Sequence, residues 1–283
     1  MKRLAAILTL AAVSLAAADG LDRAQALYNR TDYAGALKVL SASKSGDAGT
    51  WALMGKSYFM LGEFKKASEA FEKAVKANPR SSEYHHWLGK AYGRRAETAS
   101  VFTAPGLAGK TRDEFETAVE LDPNNLEAIN DLFEYYLEAP GLLGGGLDKA
   151  SDLTARIAKL DPVEYHWAQA RLAEKQKKFG TAEEQLRRAA ELAPRQVGRV
   201  LDLAKFLAKQ GKYRESDAAF ERAESLAPGS PKVMFERAST YIRTKRNLEV
   251  ARELLKQYLE SPLTPSDPAR HEAERLLRQA SGG

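Results

Sequence analysis

Several residue groups in this sequence have types and spacings that could do chemistry. Gly55-Lys56-Ser57 matches the end of a phosphate-binding loop, where glycine N–H groups cradle phosphates and a lysine reaches them. Its partner glycine, Gly49, is one residue out of register, and helical periodicity surrounds the tripeptide where a strand should precede it. Phosphate binding is therefore set aside. Gly144-Gly145-Gly146 lies ahead of a helical pattern and could offer backbone N–H groups to an anion, but no lysine motif accompanies it, and a flexible turn accounts for it. The histidines are His85, His86, His166 and His271, none in a His-x-x-x-His pair, and cysteine is absent. That leaves a metal site without a ligand set. Glu127, Asp131, Glu134 and Glu138 recur at helical spacing and form one acidic face, without the second acid in a cleft that acid–base catalysis needs. No Gly-x-Ser-x-Gly elbow occurs. The residues point to no enzyme, cofactor or metal.

The elements that would position these groups are helical. The 283 residues are 44% hydrophobic and 29% charged, rich in helix-favouring alanine, leucine, glutamate, lysine and arginine. Residues 1–18 are read apart from the fold. Lys2 and Arg3 precede an apolar run, Leu4 to Leu15, that closes on Ala16-Ala17-Ala18 before Asp19. The pattern is that of an export signal cleaved after Ala18, too short to span a bilayer as a helix. It predicts a periplasmic or cell-envelope protein with no membrane span after processing, unless the segment is retained as an anchor. Losing Lys2 and Arg3 leaves 41 of the 43 basic residues against 38 acidic ones, a balance that argues against nucleic acid as partner.

Internal repetition is the main signal. Asn78-Pro79, Asp122-Pro123, Asp161-Pro162, Ala193-Pro194 and Ala227-Pro228 each close an amphipathic stretch, with prolines 44, 39, 32 and 34 residues apart. Proline stops each helix cleanly. The clearest unit, 48–81, carries Trp51, Gly55, Tyr58, Gly62, Phe64, Ala67, Phe71, Ala74 and Pro79. Gly55 and Ala67 are small where two helices would cross, Trp51, Tyr58 and Phe71 fill the space beside them, and Gly62 suits the turn between. This unit resembles the tetratricopeptide repeat (TPR), and its exported bacterial type. The resemblance extends with falling fidelity over units 19–47, 48–81, 82–125, 126–164, 165–196, 197–230 and 231–265, followed by a capping helix and tail, 266–283. It implies an all-α, right-handed superhelical solenoid of antiparallel helix pairs. It also places His85 and His166 at matching positions, where the family often has an aromatic.

Two units are longer than the 34-residue period, through insertions within 93–110 and 139–147. Both contain Ala-Pro-Gly-Leu, at Ala104–Leu107 and Ala139–Leu142. Both fall between the two helices of a pair, so in a stacked array the loops should lie side by side. Phe102, Pro105, Leu107, Leu142 and Leu143 would then either form an apolar contact edge or cover the neighbouring repeat.

The resemblance further implies that the first helix of each pair lines a concave groove. Lys56, Lys90, Glu134, Arg171, Lys205 and Ser239 share one groove position. Ala52, His86, Asn130, Trp167, Leu201 and Phe235 lie one turn earlier, and Arg94, Lys175, Lys209 and Arg243 border the same face. Cations interleaved with His86, Trp167 and Phe235 would suit a peptide or protein partner carrying acidic residues or a free carboxylate. The plainer alternative is a solvated face with alkyl stems over the core. The expected function is a non-enzymatic interaction scaffold. The alternative is an assembly subunit of an envelope complex, docking through the insertions.

Overall fold

The computed structural model describes residues 20–43 and 46–282; the expected export signal lies outside them. The described residues are helical throughout, with no strand. A helix at 20–29 (α1) pairs in sequence with α2 (Tyr33–Ser43), followed by α3 (Ala48–Met60) and α4 (Phe64–Ala77), then α5 (Ser82–Thr98) and α6 (Ala104–Leu121). Next come α7 (Leu126–Glu138) and α8 (Leu147–Leu160), α9 (Pro162–Lys175) and α10 (Phe179–Leu192), and α11 (Val197–Lys209) and α12 (Tyr213–Leu226). The last are α13 (Pro231–Arg243), α14 (Leu248–Glu260) and a single terminal helix, α15 (Arg270–Ala280). The chain divides into two compact units. The first runs to Ala128 with Leu263–Ser266; the second is Ile129–Pro262 with Asp267 onward.

The helices start where the sequence supplies caps. Asp47 accepts from Thr50 N at 2.8 Å ahead of α3, and Asp161 accepts from Val163 N and Glu164 N at 2.7 and 3.1 Å ahead of α9. Pro162 and Pro231 open α9 and α13, where a missing N–H leaves nothing unsatisfied. Each helix then buries one stripe. In α4, Ala67, Phe71 and Ala74 are buried while Lys65, Lys66, Glu69, Glu72, Lys73 and Lys76 are exposed.

Five helix pairs turn in the same way. After α1, α3, α9, α11 and α13 one residue takes a left-handed conformation: Thr31, Gly62, Lys177, Gly211 and Lys245, with φ between 53° and 76°. Each turn has the same two hydrogen bonds, such as Gly62 N to the Phe59 carbonyl at 3.0 Å and Glu63 N to the Tyr58 carbonyl at 2.9 Å. Only two of the five positions hold glycine, which is why the sequence marked a turn at Gly62 and none at Lys177 or Lys245.

The crossings within pairs follow the small–large rule. A Cβ on Gly55 would meet the Phe71 ring at 2.8 Å, and one on Gly89 would meet Phe115 at 2.5 Å. In the second unit the same register position holds Ala170, Ala204 and Ala238, all buried. In α7 and α8 the sizes exchange: Phe133 stands where glycine stands in α3, and Thr154 where phenylalanine stands in α4. Both are buried, so the ring that fills the crossing comes from the other helix of the pair.

The insertions behave differently from the loops expected of them. Residues 93–110 mostly lengthen the helices, α5 to 17 residues and α6 to 18, leaving a turn only at 99–103. Ala104-Pro105-Gly106-Leu107 begins α6, because proline in the first turn is compatible with helix. Ala139–Leu142 instead leads into a single 3-10 turn, Gly141–Leu143, closed by Gly144 at φ 88°. The two identical tetrapeptides therefore take different conformations.

Candidate functional site

The first helices of the second unit, α7, α9, α11 and α13, carry a connected ladder of charge. Arg171 grips Glu134 with two hydrogen bonds, Nε at 2.7 Å and Nη2 at 2.8 Å, and reaches Glu174 at 2.9 Å and Glu138 at 3.2 Å. Lys175 pairs with Glu138 at 2.7 Å, and Lys209 with Glu174 at 2.5 Å. Lys205 lies 3.3 Å from Asp202 and 3.4 Å from Glu236, and Arg199 lies 3.0 Å from Glu164. Hydrogen bonding to Glu134 raises the Arg171 pKa further above its ordinary range, and the Lys175 bond holds Glu138 below the usual carboxylate range. Glu164 goes the other way: burial raises it, against the pull of Arg199.

Trp167 stands in the middle of this face, half-buried, its ring 5.9 Å from Phe133 and 6.0 Å from the Arg199 guanidinium. Together with Asp202 and Lys205 it lines two clefts. One, of about 360 Å³, has an apolar floor of Ala170, Leu186 and Phe206, with Arg243 at its rim. The other, of about 260 Å³, is bounded by Asn130, Glu164, Arg199 and Glu236. In this second cleft two buried polar atoms make no hydrogen bond. Asn130 Oδ1 is an unbonded acceptor although its Nδ2 donates to Glu164 at 3.0 Å. Arg199 Nη1 is an unbonded donor: it sits 3.3 Å from Asp202 Oδ2 as an ion pair, without hydrogen-bond geometry. Such groups cost roughly 1–3 kcal/mol each when left unmade.

Most of the expected groove residues thus come together here: Asn130, Trp167, Arg171, Lys205, Lys209 and Arg243. Two expectations are corrected. Phe235 is only 9% exposed and packs on Tyr258, ring centroids 5.4 Å apart. His86, in the first unit, is 3% exposed and packs on Phe115 at 5.8 Å. Both belong to the core, as do Ala52 and Leu201 at the same position, whereas Asn130 and Trp167, also at that position, stay half-buried and open to the clefts. The basic ladder is also corrected in character: in the second unit its cations, Arg243 apart, are met by carboxylates from adjacent first helices.

In the first unit the equivalent cations rest on rings. Lys90 Nζ is 4.4 Å and Lys56 Nζ 5.5 Å from the Trp87 ring centroid, and the Arg94 guanidinium is 4.9 Å from Phe64. Lys56 also pairs with Glu83 at 2.6 Å and Arg94 with Glu97 at 3.1 Å. Trp87 was not anticipated as part of this face. Its place between His86 and Lys90, two residues assigned to the groove, was the available signal.

The insertion residues separate into two groups. Phe102 and Leu142 are 91% and 87% exposed, Pro105 is exposed, and Val101, unmarked by the sequence reading, is 81% exposed. Leu107 is half-buried against the cluster around Phe71 and Tyr92, and Leu143 is half-buried with its carbonyl accepting from Tyr135 Oη at 2.8 Å. Among the described residues no group of three or more His, Asp or Glu side chains is placed to hold a metal ion, and no helix is long and apolar enough to cross a membrane.

Family models agree with the repeat reading: a TPR repeat model matches residues 55–95, and a tetratricopeptide repeat model matches residues 201–268. The chain is a tetratricopeptide repeat protein. Solved structures similar to it include a thermophilic TPR protein of Thermus thermophilus, at TM-score 0.54 and 21% identity over 68% of this chain and 98% of that one. A tetratricopeptide repeat protein from Parabacteroides merdae matches at TM-score 0.60 and 13% identity over 94% of this chain and 99% of its own. Human IFIT1, solved as a dimer with PPP-AAAA, matches at TM-score 0.55 and 20% identity; the TPR chain spans 85% of itself but 54% of that chain. At these identities the likeness is one of fold. No curated protein sequence matches the chain.

Proposed function

We propose that this TPR protein is a non-enzymatic interaction scaffold that seats an extended peptide on the first-helix face of its second unit. TPR arrays in general bind proteins, and the observation that supports this seat is the unbonded acceptor–donor couple beside Trp167. A peptide side chain enters the cleft floored by Ala170, Leu186 and Phe206, and its backbone bonds Asn130 Oδ1 and Arg199 Nη1 once these two buried groups turn outward. The ion ladder leaves Arg243, exposed and without an ion pair among the described residues, as the cation that receives an acidic residue or terminal carboxylate. Selection of a random peptide display library against the whole protein tests this. The selected peptides lose affinity about tenfold or more on Arg199→Ala or Trp167→Ala, and less on Arg243→Glu. Selected peptides indifferent to all three contradict the seat.

A second reading places docking at the insertion turns and makes the protein an assembly subunit of an envelope complex. Its support is the exposure of Phe102 and Leu142. Polar replacement of Phe102, Leu107, Leu142 and Leu143 would then abolish assembly while Arg199→Ala would not. Either reading is set in the periplasm or cell envelope, on the export-signal pattern of residues 1–18. Protein isolated from its native cell should fractionate with the envelope or periplasm and, if the signal is cleaved, begin at Asp19; recovery of the full-length chain in the cytosolic fraction overturns that location.

A further inference from the structure

The first unit carries a cleft that the peptide seat does not use. It is about 600 Å³ and lies where the α3–α4 turn meets the end of α5 and the start of α6. It is lined by Phe64, Thr98, Ala99, Thr103 and Leu107, with Glu63, Lys65, Lys66 and Arg95 among the charged residues around it. Glu63 is taken up by Lys66. Arg95 Nη1 donates to the Ser68 hydroxyl at 2.8 Å and meets no carboxylate, and Lys65 is exposed without an ion pair among the described residues. Two cations are therefore left over around an apolar hollow. The turn bearing Ala99 and Thr103 also carries Val101 and Phe102, exposed and standing beside it. The extended α5 and α6 supply Thr98 and Leu107 to it, and the turn between them supplies Ala99 and Thr103.

The geometry points to a docking site for an acidic amphipathic segment of a partner protein, its apolar side chains in the cleft and against Phe102, its carboxylates on Lys65 and Arg95. This rests on the reading that the insertion turns dock a partner, and it names the chemistry of that partner for the first unit. An apolar anchor accounts for burying Phe64, Leu107 and Phe102, and carboxylates account for the uncompensated rim. Opposite charge on the partner is favoured because a basic segment would bring a third and fourth cation against Lys65 and Arg95 with a single, already paired, acid to offset them.

The test uses the whole protein and two synthetic helix-forming peptides sharing one Phe-x-x-Leu-Leu anchor, glutamates filling the other positions in the first and lysines in the second. Fluorescence anisotropy should show binding of the glutamate peptide, weakened about tenfold by Lys65→Glu and by raised salt, and lost with Phe102→Ser. Both residues are exposed, so circular dichroism of the variants should match the parent. Arg199→Ala should leave this binding unchanged. Equal binding of both peptides, abolished by Phe102→Ser, overturns the acidic partner while keeping the docking edge. Binding of neither peptide overturns both. Concentration-dependent dimerisation lost in Phe102→Ser, with neither peptide competing, would assign the cleft to a second copy of the chain and also overturn the inference.

Discussion

The two units place cations at equivalent positions of their first helices and solve the electrostatics differently. In the first unit Lys56, Lys90 and Arg94 lie against Trp87 and Phe64. In the second, Arg171, Lys175, Lys205 and Lys209 lie against Glu134, Glu138, Glu236 and Glu174. A ring leaves the cation's charge uncancelled, whereas a carboxylate cancels it. Lys56 and Arg94 also meet Glu83 and Glu97, so the first unit adds rings to its ion pairs. Arg171, Lys175, Lys205 and Lys209 of the second unit are held by carboxylates of the adjacent first helix.

The contrast is reversed at a matched pair of histidines. His85 Nδ1 lies 2.6 Å from Glu114 and Nε2 3.1 Å from the Pro79 carbonyl, so both ring nitrogens face acceptors and the imidazolium satisfies them together. His166, at the same register position, has Gln185 at 2.7 Å in place of the carboxylate. The hydrogen bond to Glu114 is the main cause raising the His85 pKa, with burial opposing it.

Breaking the core should produce the largest effects. Phe71→Ala, which empties the space over Gly55, should destabilise the first unit by about 3–5 kcal/mol in urea denaturation, the second unit melting as before. Gly89→Ala forces a Cβ towards Phe115 and should cost about 1–3 kcal/mol, whereas the second unit already carries alanine at that register. A loss in both units alike would erase the distinction drawn between them. Glu134→Gln removes the two-bond partner of a partly exposed arginine and should cost about 1 kcal/mol, shrinking with salt.

The histidine pair sharpens the comparison with pH. A histidine whose folded pKa exceeds its unfolded value, about 6.5, contributes stability that is fully present below that value and lost as pH rises through the folded pKa. The first unit should therefore weaken from slightly acid towards alkaline pH, and His85→Gln should flatten that slope. Replacing His166 should leave it unchanged. The smallest effect belongs to the turns: Lys177→Gly and Lys245→Gly should each stabilise by up to about 1 kcal/mol, since a non-glycine residue is held there at φ 61° or 53°.

Helix pairing was legible because proline, glycine and aromatic residues return with the repeat and each has a steric reason to do so. Gly55 against Phe71 and Gly89 against Phe115 are such cases. The ladder was half legible: Arg171, Lys205 and Lys209 stood out by position, but their carboxylates lie one repeat away. The separations are 37 residues from Arg171 to Glu134 and 35 from Lys209 to Glu174. Opposite charges at a one-repeat offset are the signal that would have found them. His86 and Phe235 were misplaced because a helix in a stack buries two faces, one against its pair and one against the next repeat, so the apolar stripe is wider than a groove argument allows. Ala104–Leu107 was misread as a loop because proline ends helices and also begins them.

The central claim is that the second unit's first-helix face is the peptide seat. The most direct test follows the three tryptophan indole N–H signals by NMR as a library-selected peptide is added to the whole protein. The account predicts a saturable shift of Trp167 with Trp51 and Trp87 unmoved. A shift of Trp87 with Trp167 unmoved would contradict it and transfer binding to the first unit.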